Sequence, residues 1–340
     1  MCGSRRAVAG GWARSATVSC GNPERRGDGC AEEVTRTRSH RERWAVLSIL
    51  ATAVLGFAYA CGVVLQTSIP ASIRPTPSTW SSANLTIAYV GHASVLIDFA
   101  GTRILTDPAF FERIGVRLGP LTLGPKRVVR AALTPEELPP LDAVVVSHAH
   151  LDSLDLPSLA RLTAAPLLVL PARTKDIVAD LEFPRVIELG WGERVAAGAV
   201  TIEAVEVDHW GKRWPWERWR GYNGYLFSRE DVRVLFASDT AYTTELGALG
   251  RAQGVTVAII GNGAYDPWIA NHANPEQVWR MFEESGAQYL LPVHWGAFRL
   301  GKEPLGDAMA RLLAVAGPSA DRVVIRRIGD TWSMPLPSSQ

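Results

Sequence analysis

After Asn84, one short apolar run after another stops at a histidine or an aspartate. "ILTDP" stops at Asp107, "DAVVVSHAHLD" delivers His148, His150 and Asp152, "AVEVDH" reaches His209, "VLFASD" reaches Asp239 and "LLPVH" reaches His294. Loops at strand ends are where a rigid sheet presents reactive side chains. Runs this short, rich in β-branched residues and alternating with helical stretches, imply sheets covered by helices, an α/β class. "DAVVVS" is apolar without alternation, as in a strand buried on both faces. In an extended chain the two histidines that follow it, one residue apart, point the same way.

"LTIAYV", "SVLIDF" and "TRILTD" suggest a meander, with further strands expected at 166–170, 186–189, 200–207, 224–227, 232–237, 257–260, 289–292 and 323–326. Helices fit 157–162, 174–181, 243–252, 275–285 and 304–316. The fourth of these has the clearest signals: Asn274 can cap it, Pro275 suits the first turn, Glu276 favours the positive end and Gly286 can stop it.

Charge and cysteine placement limit the chemistry. A net charge of +1 over 340 residues argues against a surface built to bind nucleic acid. Cys2, Cys20, Cys30 and Cys61 all lie in the first fifth of the chain, so a metal held farther along takes His, Asp or Glu. Taken singly, a His here reads as a hydrogen-bonded structural residue and an Asp as a turn or cap. His-x-His-x-Asp with two later His and one Asp, all at strand ends, reads as a metal site.

The N-terminal part has a different character. Residues 1–43 are Arg-rich, lack an apolar period and read as a disordered tail. "WAVLSILATAVLGFAYACGVVL" (44–65) is uncharged and has the roughly 20-residue length that spans a bilayer. Arg36, Arg38, Arg41 and Arg43 precede it, which by the positive-inside rule keeps the N-terminus cytoplasmic and the large domain extracytoplasmic. "AYA" before Cys61 leaves cleavage as a signal peptide, or lipidation, as alternatives. Residues 66–83 read as a Pro/Ser-rich linker, 84–334 as the folded domain that carries these residues and 335–340 as a tail.

"GHASVLIDFAGTRILTDPAF", "LDAVVVSHAHLDSLD", "VDHW", "FASDTAY" and "PVHWGAF", in this order, resemble the five motifs of the metallo-β-lactamase superfamily. "GAYDPW" with His272 soon after, and "LPVHWGAF", are similar to the branch that holds N-acyl-phosphatidylethanolamine-hydrolysing phospholipase D and the ascorbate-6-phosphate lactonases. The resemblance implies an αββα sandwich with metals at one edge. It implies a first ion on His148, His150 and His209, and a second on Asp152 and His294, with Asp239 bridging. The family commonly has a histidine directly after the motif aspartate. Here that residue is Ser153, so a tight first ion and a weaker second are expected.

Such ligands suit Zn²⁺, with Mn²⁺ and Fe²⁺ close behind by ligand type. The expected nucleophile is a metal-bound hydroxide, positioned by Asp152 and Asp239. His272 would reach the pocket, to stabilise developing charge or protonate a leaving group. Asp107 would orient a ligand or form the turn before Pro108, Asp155 would support one or cap a helix, and His92 in "VGHAS" reads as structural. "HWGKRWPWERWRG" gathers Trp210, Lys212, Arg213, Trp214 and Trp216 in a loop suited to lipid headgroups, or to a lid packed by its own tryptophans. The first expectation is therefore a membrane-associated phosphodiesterase acting on lipid-like substrates. The alternatives are a lactonase- or amidase-type hydrolase of a small carbonyl compound, and a non-catalytic metal-binding membrane protein with a degraded second site.

Overall fold

A computed structural model describes residues 44–49, 52, 67–119 and 121–337. The chain divides into two units, Met1–Phe57 and Ala58–Gln340. In the first, residues 44–49 are helical.

The expected membrane-spanning helix is corrected here. Among the described residues no helix is long and apolar enough to cross a membrane. A span needs roughly 20 helical residues, and the helical residues described in this stretch are 44–49 and 52. The expected membrane anchor, and with it the membrane as a partner and the extracytoplasmic placement of the domain, is without support among the described residues. The tail at 1–43, most of 44–65, including Cys61 with its cleavage or lipidation alternatives, and residues 338–340 lie outside the described residues.

Two sheets make up the second unit. In the first, Thr331–Pro335 (β15), Asn84–Gly91 (β1), Ser94–Phe99 (β2), Thr102–Thr106 (β3), Ala143–Val145 (β6), Leu168–Pro171 (β7) and Val186–Leu189 (β8) lie in that order. The second orders Tyr289–Val293 (β14), Val257–Gly261 (β13), Val232–Ser238 (β12), Gly224–Arg229 (β11), Val200–Val205 (β10) and Arg194–Ala197 (β9). A separate ribbon pairs Val116–Leu118 (β4) with Leu121–Leu123 (β5). Five helices complete the described regular structure of this unit, apart from short 3-10 turns: Leu156–Leu159 (α1), Glu245–Gln253 (α2), Tyr265–Trp268 (α3), Pro275–Glu284 (α4) and Asp307–Ala316 (α5).

The side-chain alternation of the strands produces four layers. Ile87, Tyr89, Val95 and Ile97 from one sheet meet Ile202, Tyr225, Phe227 and Phe236 from the other in a shared core. The opposite face of the second sheet, with Leu226, Leu235, Ala258 and Ile260, is covered by Leu246 of α2, Val278 and Phe282 of α4 and Leu312 of α5. On the outer face of the first sheet, Leu96, Leu105, Val144 and Leu168 pack with Leu154, Leu159 and Phe183. This is the αββα sandwich that the motifs implied.

Parallel pairing positions the site. β3 runs parallel to β6, so Asp107 and the residues after Val145 leave at the same edge. β12, β13 and β14 are parallel as well, which brings Asp239 and His294 to one end. The α4 signals act as read: Asn274 accepts from Gln277 N, and Gln277 returns a bond to the Asn274 backbone. The expected strand at 323–326 is only an isolated bridge between Val323 and Leu290. The edge strand is instead β15, which pairs antiparallel with β1 from the far end of the chain. The Pro/Ser-rich segment read as a linker lies against the domain: Ile69 N donates to Val128 O at 2.8 Å and Ser68 Oγ to Arg127 O at 2.7 Å.

Candidate metal centre

β6 ends in a turn that carries His148, His150 and Asp152, and Leu154 N closes the turn on His150 O at 2.8 Å. His148 Nε2 lies 2.7 Å from His150 Nδ1, His209 Nε2 lies 3.4 Å from that same atom, and Asp239 Oδ2 is 3.7 Å from His148 Nε2. A tetrahedral ion with bonds of about 2.0–2.1 Å holds its ligand atoms roughly 3.3 Å apart, and these separations bracket that value. His148, His150, His209 and Asp239 thus form one candidate cluster, and His92, Asp152 and His294 form a second; in each, the ligand atoms lie within 4.8 Å of one another. Both oxygens of Asp239 are buried without a hydrogen-bond partner. An enclosed carboxylate of that kind calls for a cation. Asp239, His272 and His294 form a third group that shares one residue with each of these, and the clusters are consistent with one or two divalent ions.

His148 and His209 present lone pairs because their other nitrogens are occupied. His209 Nδ1 donates to Asn271 O at 2.9 Å, which leaves Nε2 free. Ser147 Oγ gives its proton to Asp107 Oδ2 at 2.6 Å, so it accepts from His148 Nδ1 at 2.8 Å. Asp107 also accepts from Ser147 N at 2.7 Å and Ser238 Oγ at 2.7 Å. It therefore acts on His148 through a serine, and fixes which ring nitrogen faces the centre.

Charge follows burial. Burial pushes the Asp107 carboxyl up to about 7, against its hydrogen bonds from Ser147. Asp239 also rises to about 7, through burial offset by His294. Burial lowers His148 and His209 well below the ordinary histidine range and His150 to about 4. Burial opposes ionisation of Asp152, yet hydrogen bonds from His294 and His92 outweigh it and hold the carboxyl low. Burial likewise opposes a charge on His294, but Asp239 and Asp152 prevail and raise it to about 9.

His92, read from the sequence as structural, lies in the second cluster. Its Nε2 is 3.1 Å from Asp152 Oδ2, beside His294 Nε2 at 3.3 Å from the same oxygen. The available signal was its place in a tight turn after Gly91, where a residue with a left-handed backbone is needed. His92, Asp107, Ser238 and His294 all have positive φ, at 63°, 33°, 52° and 59°. Each such residue costs on the order of 1–3 kcal/mol and persists only where its surroundings hold it, a pattern that gathers at functional sites.

The remaining expected residues divide. The His272 ring sits 5.1 Å from those of both His209 and His294, over the two clusters. Asp155 caps α1, accepting from Ser158 N and Ser158 Oγ. Ser153 is fully buried and its hydroxyl has no hydrogen-bond partner. Trp210 lies 6.0 Å from the His150 ring, with Lys212 Nζ 4.2 Å over its face. Arg213 donates to Ala149 O at 3.1 Å and Leu154 O at 2.9 Å, bolting the loop to the motif turn. Trp214 and Trp216 stack on each other, and Arg220 pairs with Asp176 and Glu217. Arg213 and Arg220, two of the three arginines in this loop, are thus engaged within the chain.

Residues 102–295 match the model of the beta-lactamase superfamily domain. An uncharacterized protein of Mycobacterium tuberculosis is 32% identical over 271 residues, covering 75% of this chain and 71% of its own. N-acyl-phosphatidylethanolamine-hydrolyzing phospholipase D 1 of Caenorhabditis elegans is 31% identical over 257 residues, covering 70% and 71%. Among solved structures, isothiocyanate hydrolase from Delia radicum gut bacteria has a TM-score of 0.59 at 16% identity, covering 74% of this chain and 100% of that one.

Proposed function

The chain belongs to the beta-lactamase superfamily domain family, whose metal-dependent hydrolases fold in this way, and from that premise we propose that it hydrolyses a small carbonyl compound, a lactone or an amide. The observation that carries this reading is the pairing of two ligand clusters under His272 with a loop whose Arg213 and Arg220 are occupied. These two arginines are thereby held away from an anionic group on the substrate. The membrane-associated phospholipase expected from the sequence is replaced by this alternative.

Zn²⁺ is the proposed ion, the first cluster holding it more tightly than the second. When bound, a divalent cation supplies Lewis acidity to a substrate oxygen and acidifies water to a pKa of about 7. Asp239, shared between the clusters, and Asp152, on the second, aim their carboxylates at the common centre, where they orient a water and accept its proton. His272 stands above both and presents a ring N–H to the oxygen on which charge develops. Trp210 walls the first cluster and limits bulk water beside His150.

A second reading, hydrolysis of a small phosphodiester, draws on the likeness to the Caenorhabditis elegans phospholipase. Zinc-loaded protein assayed against a γ-lactone, an anilide and bis-p-nitrophenyl phosphate, with and without chelator, separates the two. The expected result is chelator-sensitive turnover of a carbonyl substrate, with the phosphodiester slower by about tenfold or more. Faster phosphodiester turnover would transfer the assignment to the second reading, and no chelator-sensitive turnover of any of them would overturn both.

A further inference from the structure

The residue that follows the motif aspartate is Ser153, whose neutral hydroxyl stands where an imidazole would be the ordinary ligand. Its side chain is fully enclosed, its Oγ has no partner, and its N–H is directed to His150 O at 3.3 Å. A neutral hydroxyl is a weak ligand beside an imidazole. The second cluster nevertheless contains a second imidazole. It comes from the turn between β1 and β2, about 60 residues earlier in the chain.

We propose that His92 is a direct ligand of the second divalent cation, supplying the imidazole that Ser153 does not, so that His92, Asp152 and His294, with Asp239 between the clusters, form a complete second site. This rests on the metal-hydrolase reading above.

The turn is built to deliver the ring. His92 has φ 63° and follows Gly91 at φ 135°, a pair of conformations that swings its side chain out of the strand line. Its carbonyl accepts from His294 N at 2.8 Å, locking the two residues together at the backbone. The rings lie 4.3 Å apart and tilted by 43°, their Nε2 atoms converging on Asp152 Oδ2 at 3.1 and 3.3 Å. Phe298 backs the His92 ring edge-on at 5.1 Å, and the Arg127 guanidinium stacks behind Phe298 at 4.4 Å. His92 is 1% exposed. A residue needed only to make the turn would be Gly or Asn, at less cost. The ligand has moved from the motif loop to the neighbouring hairpin while the centre stays in place.

A purely structural role would use the same geometry as a hydrogen bond from His92 to Asp152, so the test separates donation from coordination. In His92→Gln the side-chain amide can still donate to Asp152 but is a poor ligand. Full-length protein is stripped, dialysed against Zn²⁺ and measured by elemental analysis, and each ion's affinity is read by chelator competition. Wild type is expected to hold two ions per chain. His92→Gln is expected to hold one, the second weakened by about 10- to 100-fold or more and the first unchanged. His92→Asn, which suits the left-handed backbone, gives the same result if the glutamine variant does not fold. Two ions at wild-type affinity in the folded variant, or only one ion in the wild type, overturns the inference and leaves the hydrolase reading intact. Wild type that binds no ion overturns both.

Discussion

Replacing Asp107 by Asn tests the link between the core and the metal centre. Asp107 is fully buried and accepts from Ser147 N, Ser147 Oγ and Ser238 Oγ at 2.6–2.7 Å. An amide keeps the size and tolerates φ 33°. With Oδ1 still accepting from Ser147 N, its NH₂ group faces the two hydroxyls and must donate to them. Ser147 Oγ then turns its own proton toward His148 Nδ1, which moves the imidazole proton to Nε2, the atom that faces the centre. A similar wrong-tautomer effect is known when an Asp that orients a catalytic His becomes Asn. Losing such an orienting partner costs 10- to 100-fold in metal affinity, or about 1.4–2.7 kcal/mol.

Stability should respond in the opposite direction, and with a pH signature. The folded pKa of Asp107 is raised to about 7, so the stability tied to its proton is present below about 4 and lost as pH rises through 7. Asn has no such proton. Without metal, the variant should gain on wild type by up to about 4 kcal/mol between pH 4 and 8. Chelator competition gives the affinity, and urea melts at several pH values give the stability. An affinity within twofold of wild type, or a stability difference flat in pH, would refute the relay.

His272→Ala should keep wild-type zinc stoichiometry and lose turnover by about 10²-fold; full turnover removes His272 from the mechanism. Arg213→Met strips two buried carbonyls of a charged donor, which should lower stability by about 2–3 kcal/mol, and Arg213→Lys should not restore the paired geometry; unchanged thermal melts contradict this. The stripped protein should be most stable near pH 6.5–7. Below it, the unfolded chain takes up protons on His92, His148, His150, His209 and His272, whose folded pKa values burial lowers, so stability falls as pH drops from 6.5 toward 4, against the smaller opposite effect of Asp107 and Asp239. Above it, His294 keeps its proton to about 9 in the folded state, so stability is lost as pH rises through that value. Stability that rises steadily from pH 4 to pH 9 in denaturant melts excludes this balance.

The sequence by itself determined where chemistry could be presented. Apolar runs that stop at His or Asp mark strand ends because a strand's identity and its last residue are local facts, set by side-chain alternation and turn residues. That is why His148, His150, Asp152, His209, Asp239 and His294 could be named before any fold was known, and why the α4 capping box was legible. The apolar stretch at 44–65 shows the limit of a local pattern, since hydropathy and length fit a span where the described residues contain no such helix. Strand β15 was hidden because its pairing partner β1 is supplied from more than 240 residues away. The role of His92 was hidden for the same reason. Locally it is a turn histidine; the strand order within the first sheet brings its Nε2 to Asp152, and the closure of that sheet against the second brings its carbonyl to His294 N. The enclosure of Ser153 was decided there too, because burial depends on what packs from other elements. Sequence lists the groups that can bind an ion, and tertiary packing decides which of them converge, since convergence within 4.8 Å is a property of chain segments far apart in sequence.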